Sequence, residues 1–427
     1  MTLPPIELLA PAGCYPSLHA AIHNGADAVY FGLAQLNMRA RSRRSFDLED
    51  LGEICRICKD AKVKTNLALN TLLYEHDLSL ARQILEQAVE HKVDAVILSD
   101  MAAVQIALEL RLEVHLSTQL SISNLESVRF YAQFCNRIVL ARELSLPMIR
   151  TITQGIQRDN IRGASGRLME IEAFAHGALC VAVSGRCNMS LYTSNASANR
   201  GACEQNCRKE YKVTDVETGD ELIVDNNFVM SPTDIQTIDF LNEMLDSGVT
   251  VFKLEGRGRA PEYVGAVTAA YRKALDAHQS DTYTENLSRE CKAELKKVYN
   301  RGTSSGYYLG KKQGWSNHAG SKATRRKDLV GTLKNVFTKS GVIEVDSSHL
   351  AFSLRDEYVI VGNTTGAVSG VAEELRMDSE GQPQSVQEVP RGAGFTMTHT
   401  GEARRGDKLY RLTPITPASQ SSASVNG

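Results

Sequence analysis

Cys180, Cys187, Cys203 and Cys207 stand close together in the chain, separated by six, fifteen and three residues. Thiolates are soft ligands, and four of them in one loop region suit either a 4Fe–4S cluster or a structural zinc ion. Structural zinc usually takes closely spaced pairs, and only Cys203 and Cys207 are close. Cys180 ends an apolar strand-like run, and the C-terminal end of a strand is where a (β/α) barrel places its chemistry. The expectation is an iron–sulfur cluster. Gly177, Gly185 and Gly201 flank the ligands where tight reversals are needed, and Arg186, Arg200 and Arg208 can offset cluster charge.

The chain has nine cysteines and opens without an export signal, so reduced thiols are expected rather than disulfides. Cys55 and Cys58 form a second C-x-x-C, but they share one apolar helix face with Leu48 and Leu51, which is the pattern of core packing. Cys14, Cys135 and Cys291 carry no ligand spacing.

Other side chains could complete a site. His115, Ser117 and Gln119 alternate on one strand and so share a face, as do Asn66 and Asn70 on another. Arg142, Arg257 and Arg259 are available to grip carboxylates bidentately. His115, Glu172 and Glu255 are candidate acid–base groups. His176 and Cys180, four residues apart, could form a thiol–imidazole pair only if the thiol were free of metal. Neither a His-Glu-x-x-His helix nor a Gly-x-Ser-x-Gly elbow is present.

Three basic runs point to a polyanion. Arg39, Arg41, Arg43 and Arg44 crowd the segment after the second strand, and Lys311 and Lys312 interleave with Tyr307, Tyr308 and Trp315. Residues 322–327 add Lys322, Arg325, Arg326 and Lys327. The formal net charge of −2 excludes a globally basic coat but allows a local basic face. No long apolar run suggests a membrane span, so a cytoplasmic protein is expected.

The elements that must position these residues alternate. Strand-like runs fall at 6–13, 28–32, 64–70, 94–100, 113–118, 137–142, 170–175, 228–231 and 250–255, most of them trailed by an amphipathic helix. Helices are predicted at 15–25, 47–61, 78–91, 235–246 and 261–277, the second capped by Asp47. Eight of the nine runs would close a TIM-like (β/α) barrel. A doubly wound sheet is disfavoured because the first turn has only Gly13 where a Gly-rich phosphate loop is expected. On this reading residues 1–277 form the barrel, with 180–207 as the cluster loop, and 278–323 form a polar connector. Short alternating runs at 330–333, 341–345, 357–361 and 408–412 make 324–415 a small antiparallel β-barrel or sandwich. The Ser-rich tail 416–427 reads as disordered.

Glu172-Ala-Phe-Ala-His-Gly-Ala-Leu-Cys-Val-Ala-Val-Ser-Gly-Arg-Cys-Asn-Met-Ser190 resembles the signature of peptidase family U-32, the collagenase-like peptidases. Leu9-Ala-Pro-Ala-Gly13, Asp27-Ala-Val-Tyr-Phe-Gly32, Ser231-Pro-Thr-Asp234 and Phe252-Lys-Leu-Glu-Gly-Arg257 resemble further blocks of that family. The resemblance implies an oxygen-independent hydroxylase with a 4Fe–4S cluster held by the four cysteines. Members act on the tRNA wobble uridine to give 5-hydroxyuridine, on 23S rRNA cytidine, or on a ubiquinone precursor, and the RNA enzymes depend on prephenate. A barrel followed by one small β domain resembles the tRNA subgroup, which implies the tRNA anticodon arm and prephenate as partners. Arg142, Arg257 and His176 are then expected at the small substrate, and Arg39, Arg41, Arg43 and Arg44 at RNA. Proteolysis is the alternative from another class.

Overall fold

The computed structural model describes residues 5–415 apart from 41–44, 213, 220–227, 229, 319 and 380–381. Arg41, Arg43, Arg44 and the tail 416–427 therefore lie outside the described residues.

Ten strands belong to the first sheet: β1 (Glu7–Pro11), β2 (Ala28–Phe31), β3 (Lys64–Leu69), β4 (Ala95–Leu98), β5 (Val114–Leu116), β6 (Arg137–Val139), β7 (Glu170–Gly177), β8 (Asp234–Gln236), β9 (Val251–Leu254) and β10 (Thr303–Ser304). β1 to β7 and β9 are parallel, and they close because β9 pairs with both β1 and β7. The closed eight-strand TIM-like barrel expected from the sequence is present. Its helices are α1 (Tyr15–His23), α2 (Leu51–Asp60), α3 (Leu78–Glu90), α4 (Met101–Glu109), α5 (Leu125–Tyr131), α6 (Leu146–Arg158), α7 (Met189–Ser194), α8 (Leu241–Asp246), α9 (Pro261–Gln279) and α10 (Glu285–Lys297). α2 shows why they form: Leu51, Ile54, Cys55 and Cys58 recur at helical spacing and face the core, and Asp47 and Asp50 form a capping box one turn upstream. Both of those cysteines are buried among apolar side chains, as core packing requires.

Three readings need correction. The eighth barrel strand is the run at 251–254, not the one at 228–231, where Phe228 and Ser231 belong to no strand. Pro232 follows directly and has no N–H to give a ladder. The chain instead forms β8, which pairs antiparallel with the end of β7 through His176↔Gln236 and Gly177↔Ile235. The helix expected from residue 235 starts later, after β8 and a single 3₁₀ turn. Nor do residues 278–323, expected as a polar connector, stand apart from the barrel. α10 puts Cys291 and Leu295 into the barrel's core, and the Tyr308 hydroxyl donates to the Phe174 carbonyl at 2.7 Å.

The barrel interior is unusually charged. TIM barrels fill their layers with branched aliphatic side chains, but here Glu7, Arg137, Glu170, Glu172 and Lys253 project inward at alternate strand positions. Arg137 donates to Glu7 at 2.6 Å and to Glu170 at 2.8 Å. Lys64 reaches Glu7 at 2.8 Å, and Lys253 reaches Glu172 at 2.6 Å. Each carboxylate thus meets a cation (buried Arg137 and Lys253, and exposed Lys64 at the rim), which is the condition for burying ions at all.

Residues beyond the barrel form β11 (Arg325–Phe337), β12 (Val342–Asp346), β13 (Phe352–Ser353), β14 (Glu357–Gly362), β15 (Gly366–Val371), β16 (Leu375–Ser379), β17 (Gln382–Ser385), β18 (Glu388–Val389), β19 (Gly394–Thr398) and β20 (Lys408–Pro414). They make an antiparallel sheet in the order β15-β14-β20-β11-β12-β19-β16-β17, with a β13–β18 ribbon, around a separate apolar core that includes Val330, Val345, Phe352, Ile360 and Phe395. β15 packs on α1 and α9, and Lys327 pairs with Glu262 in the first turn of α9 at 2.8 Å.

Arg137 is the element of the interior least able to change. Arg137→Met should leave Glu7 and Glu170 buried without their main partner and destabilise the fold by about 3–5 kcal/mol. An equilibrium urea titration measures this as a lower midpoint.

Candidate active site

A cavity of about 670 Å³ opens over the C-terminal ends of the barrel strands. All four clustered cysteines line it, and all are free and half-buried. The loop carrying them is tied down at several points. Ser190 accepts from the Glu204 N–H at 3.0 Å, and the Asn206 amide donates to Thr193 at 2.6 Å. Arg208 donates to the Ser231 hydroxyl at 3.0 Å and to the carbonyls of Leu179 and Pro232, both at 2.5 Å. Arg200 pairs with Asp77 and stacks over Tyr74 at 3.9 Å. Gly201 has φ +83°, and a Cβ there would stand 2.2 Å from the Asn37 carbonyl oxygen, so the loop meets the β2–α2 segment backbone to backbone.

The four sulfurs are within electrostatic reach of one another. Burial pushes the Cys207 thiol up, Arg208 opposes it, and Cys180, Cys203 and Cys187 push it further. Among the described residues no three His, Cys, Asp or Glu side chains are grouped tightly enough to hold a single metal ion.

An arginine group lines the same cavity. Arg39 donates to Glu255 at 2.9 Å, and Tyr30 donates to the same carboxylate at 2.9 Å. Burial alone would raise the Glu255 pKa, but Arg39, Arg142 and Arg257 outweigh it and bring it down to about 2. Such a carboxylate is a firm acceptor and a poor general base near neutral pH. Arg257 is buried, and one nitrogen donates to Asn37 at 2.8 Å, while its Nη1 has no hydrogen-bond partner. Burial lowers its pKa to about 10. Gly32 permits this placement, because a Cβ there would stand 2.3 Å from Nη1. Arg142 donates to the Ala178 carbonyl at 2.9 Å and stacks over Phe174 at 3.7 Å, leaving its buried Nε unpartnered. Buried Arg257 and half-buried Arg142 both line the cavity, and the unpartnered nitrogen of each is itself closed to solvent. Arg259, by contrast, is stacked over Tyr299 at 3.5 Å.

Several other expected residues meet here. Asn70 donates to Ser117 at 3.3 Å and to Gln119 at 3.4 Å, and all three line the cavity. Asn66 is buried one step below them. His115 and Glu172 are buried in the barrel interior and do not line the cavity. His115 is 3.9 Å from Glu113, and burial, with Arg137 and Lys253 nearby, holds its pKa well below the usual histidine value. His176 also stands apart. It packs between Tyr263 and Tyr271, its Nδ1 lies 3.5 Å from the Tyr271 hydroxyl, and burial lowers its pKa to about 4. Cys180 faces the cavity and His176 faces α9, so the two make no thiol–imidazole pair.

Of the basic runs, Arg39 is the described member that enters the cavity. Lys322, Arg325, Arg326 and Lys327 are engaged with Asn317, Glu357, Asp328 and Glu262. Tyr308 is buried in the core, whereas Tyr307 and Trp315 are exposed. Lys253, Asn37 and Tyr30 were not anticipated as site residues. For Lys253 the signal was present: it alternates with Glu255 on one strand and so shares its inward face.

A model of peptidase family U32 matches residues 13–318. The chain belongs to this family. A collagenase of Porphyromonas gingivalis is 46% identical over 413 residues, covering 96% of this chain and 99% of that protein. A tRNA hydroxylation protein of Bacillus subtilis is 32% identical over 340 residues, covering 77% of each chain. A 23S rRNA 5-hydroxycytidine synthase of Escherichia coli is 36% identical over 273 residues, 64% of this chain and 39% of that enzyme. Family U32 thus contains RNA hydroxylases as well as proteins named proteases, and the present chain is an enzyme of that family. No described helix is long and apolar enough to cross a membrane.

The Glu255 carboxylate has a measurable signature. Its pKa is depressed from 4.5 to about 2 on folding, so the stability it contributes is complete above pH 4.5 and is lost as pH falls toward 2. Glu255→Gln should lower stability at neutral pH and flatten the fall in melting temperature across that window, as followed by circular dichroism.

Proposed function

We propose that this U32 protein is an oxygen-independent RNA hydroxylase that forms 5-hydroxyuridine at the tRNA wobble position, using prephenate and a 4Fe–4S cluster. The observation that carries the reading is one cavity lined both by four thiols and by the guanidiniums of Arg39, Arg142 and Arg257. Cys180, Cys187, Cys203 and Cys207 would hold the cluster. Four soft thiolates in one loop region suit such a cluster. When bound, the cluster would supply redox or Lewis-acid chemistry beside the substrate.

The remaining steps belong to the chain. Arg142 and Arg257 would clamp the carboxylates of prephenate, while Asn37 and Glu255 hold the guanidiniums in place. Asn70, Ser117 and Gln119 offer donors and acceptors to the edge of a base, and the unstacked uridine would enter from the anticodon loop. Relatives named for tRNA and rRNA hydroxylation support this reading. The barrel's mouth, with Arg39 inside and Tyr307 and Trp315 exposed on the same chain, would face the RNA backbone and bases. A cytoplasmic location follows from a tRNA substrate.

Proteolysis is favoured by the name of the Porphyromonas gingivalis relative, but the cavity gives it little. Its described lining contains no histidine, and Glu255 is too acidic to activate a thiol or hydroxyl.

Deleting the gene in a strain without a paralogue should abolish 5-hydroxyuridine in digested tRNA, as read by nucleoside mass spectrometry, and unchanged levels would sink the proposal. Cys203→Ala should drop bound iron and sulfide in anaerobically purified protein to near zero, whereas full retention would remove Cys203 from the ligand set.

A further inference from the structure

The cavity has a second polar level beneath the arginine group, and it consists of Lys253. This ammonium lines the floor of the cavity while the residue as a whole is buried. Among the described residues its one hydrogen bond goes to Glu172, at 2.6 Å. An ammonium carries three donors, so two are uncommitted to any oxygen. One side of the group is covered by the ring of Tyr30, whose centroid is 4.5 Å from Nζ, and Phe174 lies farther off at 5.6 Å. The Glu172 carboxylate is fully buried, and its second oxygen has no hydrogen bond. A charged pair with this much unused hydrogen-bonding capacity is costly in a dry interior unless a ligand completes it.

Charge decides what that ligand presents. In the upper level, Arg39, Arg142 and Arg257 face Glu255, three cations against one carboxylate, and the excess positive charge draws an anion. On the floor, Lys253 and Glu172 cancel, and Arg137, 3.9 Å from the second Glu172 oxygen, is already hydrogen-bonded to Glu7 and Glu170. A carboxylate bound there would leave an uncompensated negative charge beside Glu172, whereas a neutral oxygen takes a charge-assisted hydrogen bond without upsetting the balance. The two aromatic faces beside Nζ favour an oxygen carried on a flat, unsaturated ring.

We propose that Lys253 is a substrate-contacting residue whose ammonium donates a hydrogen bond to an uncharged oxygen on the ring of the bound substrate. This rests on the hydroxylase reading above and adds a contact to it. Two molecules of that reaction carry such an oxygen: the nucleobase, as a ring carbonyl, and prephenate, as its ring hydroxyl. With the carboxylates held above and the ring oxygen held below, the substrate ring is fixed at two heights and cannot pivot against the cysteine wall.

The test measures the binding of two probes to anaerobically purified holoprotein: prephenate, and an RNA stem-loop of anticodon-arm sequence with a wobble uridine. Because Lys253→Met alone would strand Glu172 and endanger folding, the informative variant is Lys253→Met combined with Glu172→Gln. It should weaken one probe by about tenfold, as expected for the loss of one hydrogen bond to a charged donor, and leave the other within about twofold. The weakened probe identifies the source of the oxygen. Lys253→Arg should recover part of the lost affinity, and iron content and melting temperature should stay near wild type. Unchanged affinity for both probes would overturn the inference. So would weakening of both together with lost iron and a lower melting temperature, since that marks a purely structural role. If the wild-type protein bound neither probe, the hydroxylase reading would fall and take this inference with it, a result distinct from the other two.

Discussion

Three guanidinium groups, those of Arg39, Arg142 and Arg257, act on one carboxylate, Glu255, at the mouth of the barrel. Like charges in a poorly hydrated pocket repel strongly, and each must also be compensated for the water it loses. Glu255 is the group that makes their assembly possible. It is itself placed by the Tyr30 hydroxyl and by the strand that closes the barrel. What remains after that pairing is an excess of positive charge, the feature on which the proposed binding of a carboxylate rests.

The same problem recurs one layer down with a different solution. In the barrel interior the buried cations Arg137 and Lys253 meet Glu7, Glu170 and Glu172 through short hydrogen bonds between opposite charges. A core of this kind stabilises less than a packed aliphatic one, because desolvation offsets most of the Coulomb gain. It does fix orientation, since a guanidinium bonded to two carboxylates has little freedom to turn. The floor of the cavity therefore rests on groups whose directions are set.

Much of this could be read from the residues. The cysteine spacing, the alternation of strand and helix, and the single glycine after the first strand led to a barrel with a loop of soft ligands, and Arg142, Arg257 and Glu255 were recognisable at strand ends. Other features were hidden for physical reasons. His115, Glu172 and His176 have the side chains of catalysis, but period-two alternation does not say how deep along the barrel axis a residue lies, or whether a bulge turns it outward. The register shift in β7 between Phe174 and His176 does turn the chain at that point. The basic run at 322–327 looked like an RNA contact because its partners, Glu262 and Glu357, are distant in sequence. The role of Asn37 depends on a loop conformation that no periodicity encodes.

The closure of the barrel also has a consequence for the order of assembly. Arg257 meets Asn37 across 220 residues, and Glu255 meets Arg39 across 216. Contacts of such high contact order form late, because the loop they close is long. The cysteines at 180–207 leave the ribosome before β9 does, so for part of synthesis their thiols belong to an open sheet with two bare edges. The arginine group around Glu255 cannot exist at that stage. Under the proposed cluster assignment, metal delivery to the thiols would either act on an incomplete barrel or wait until the first and last strands have found each other.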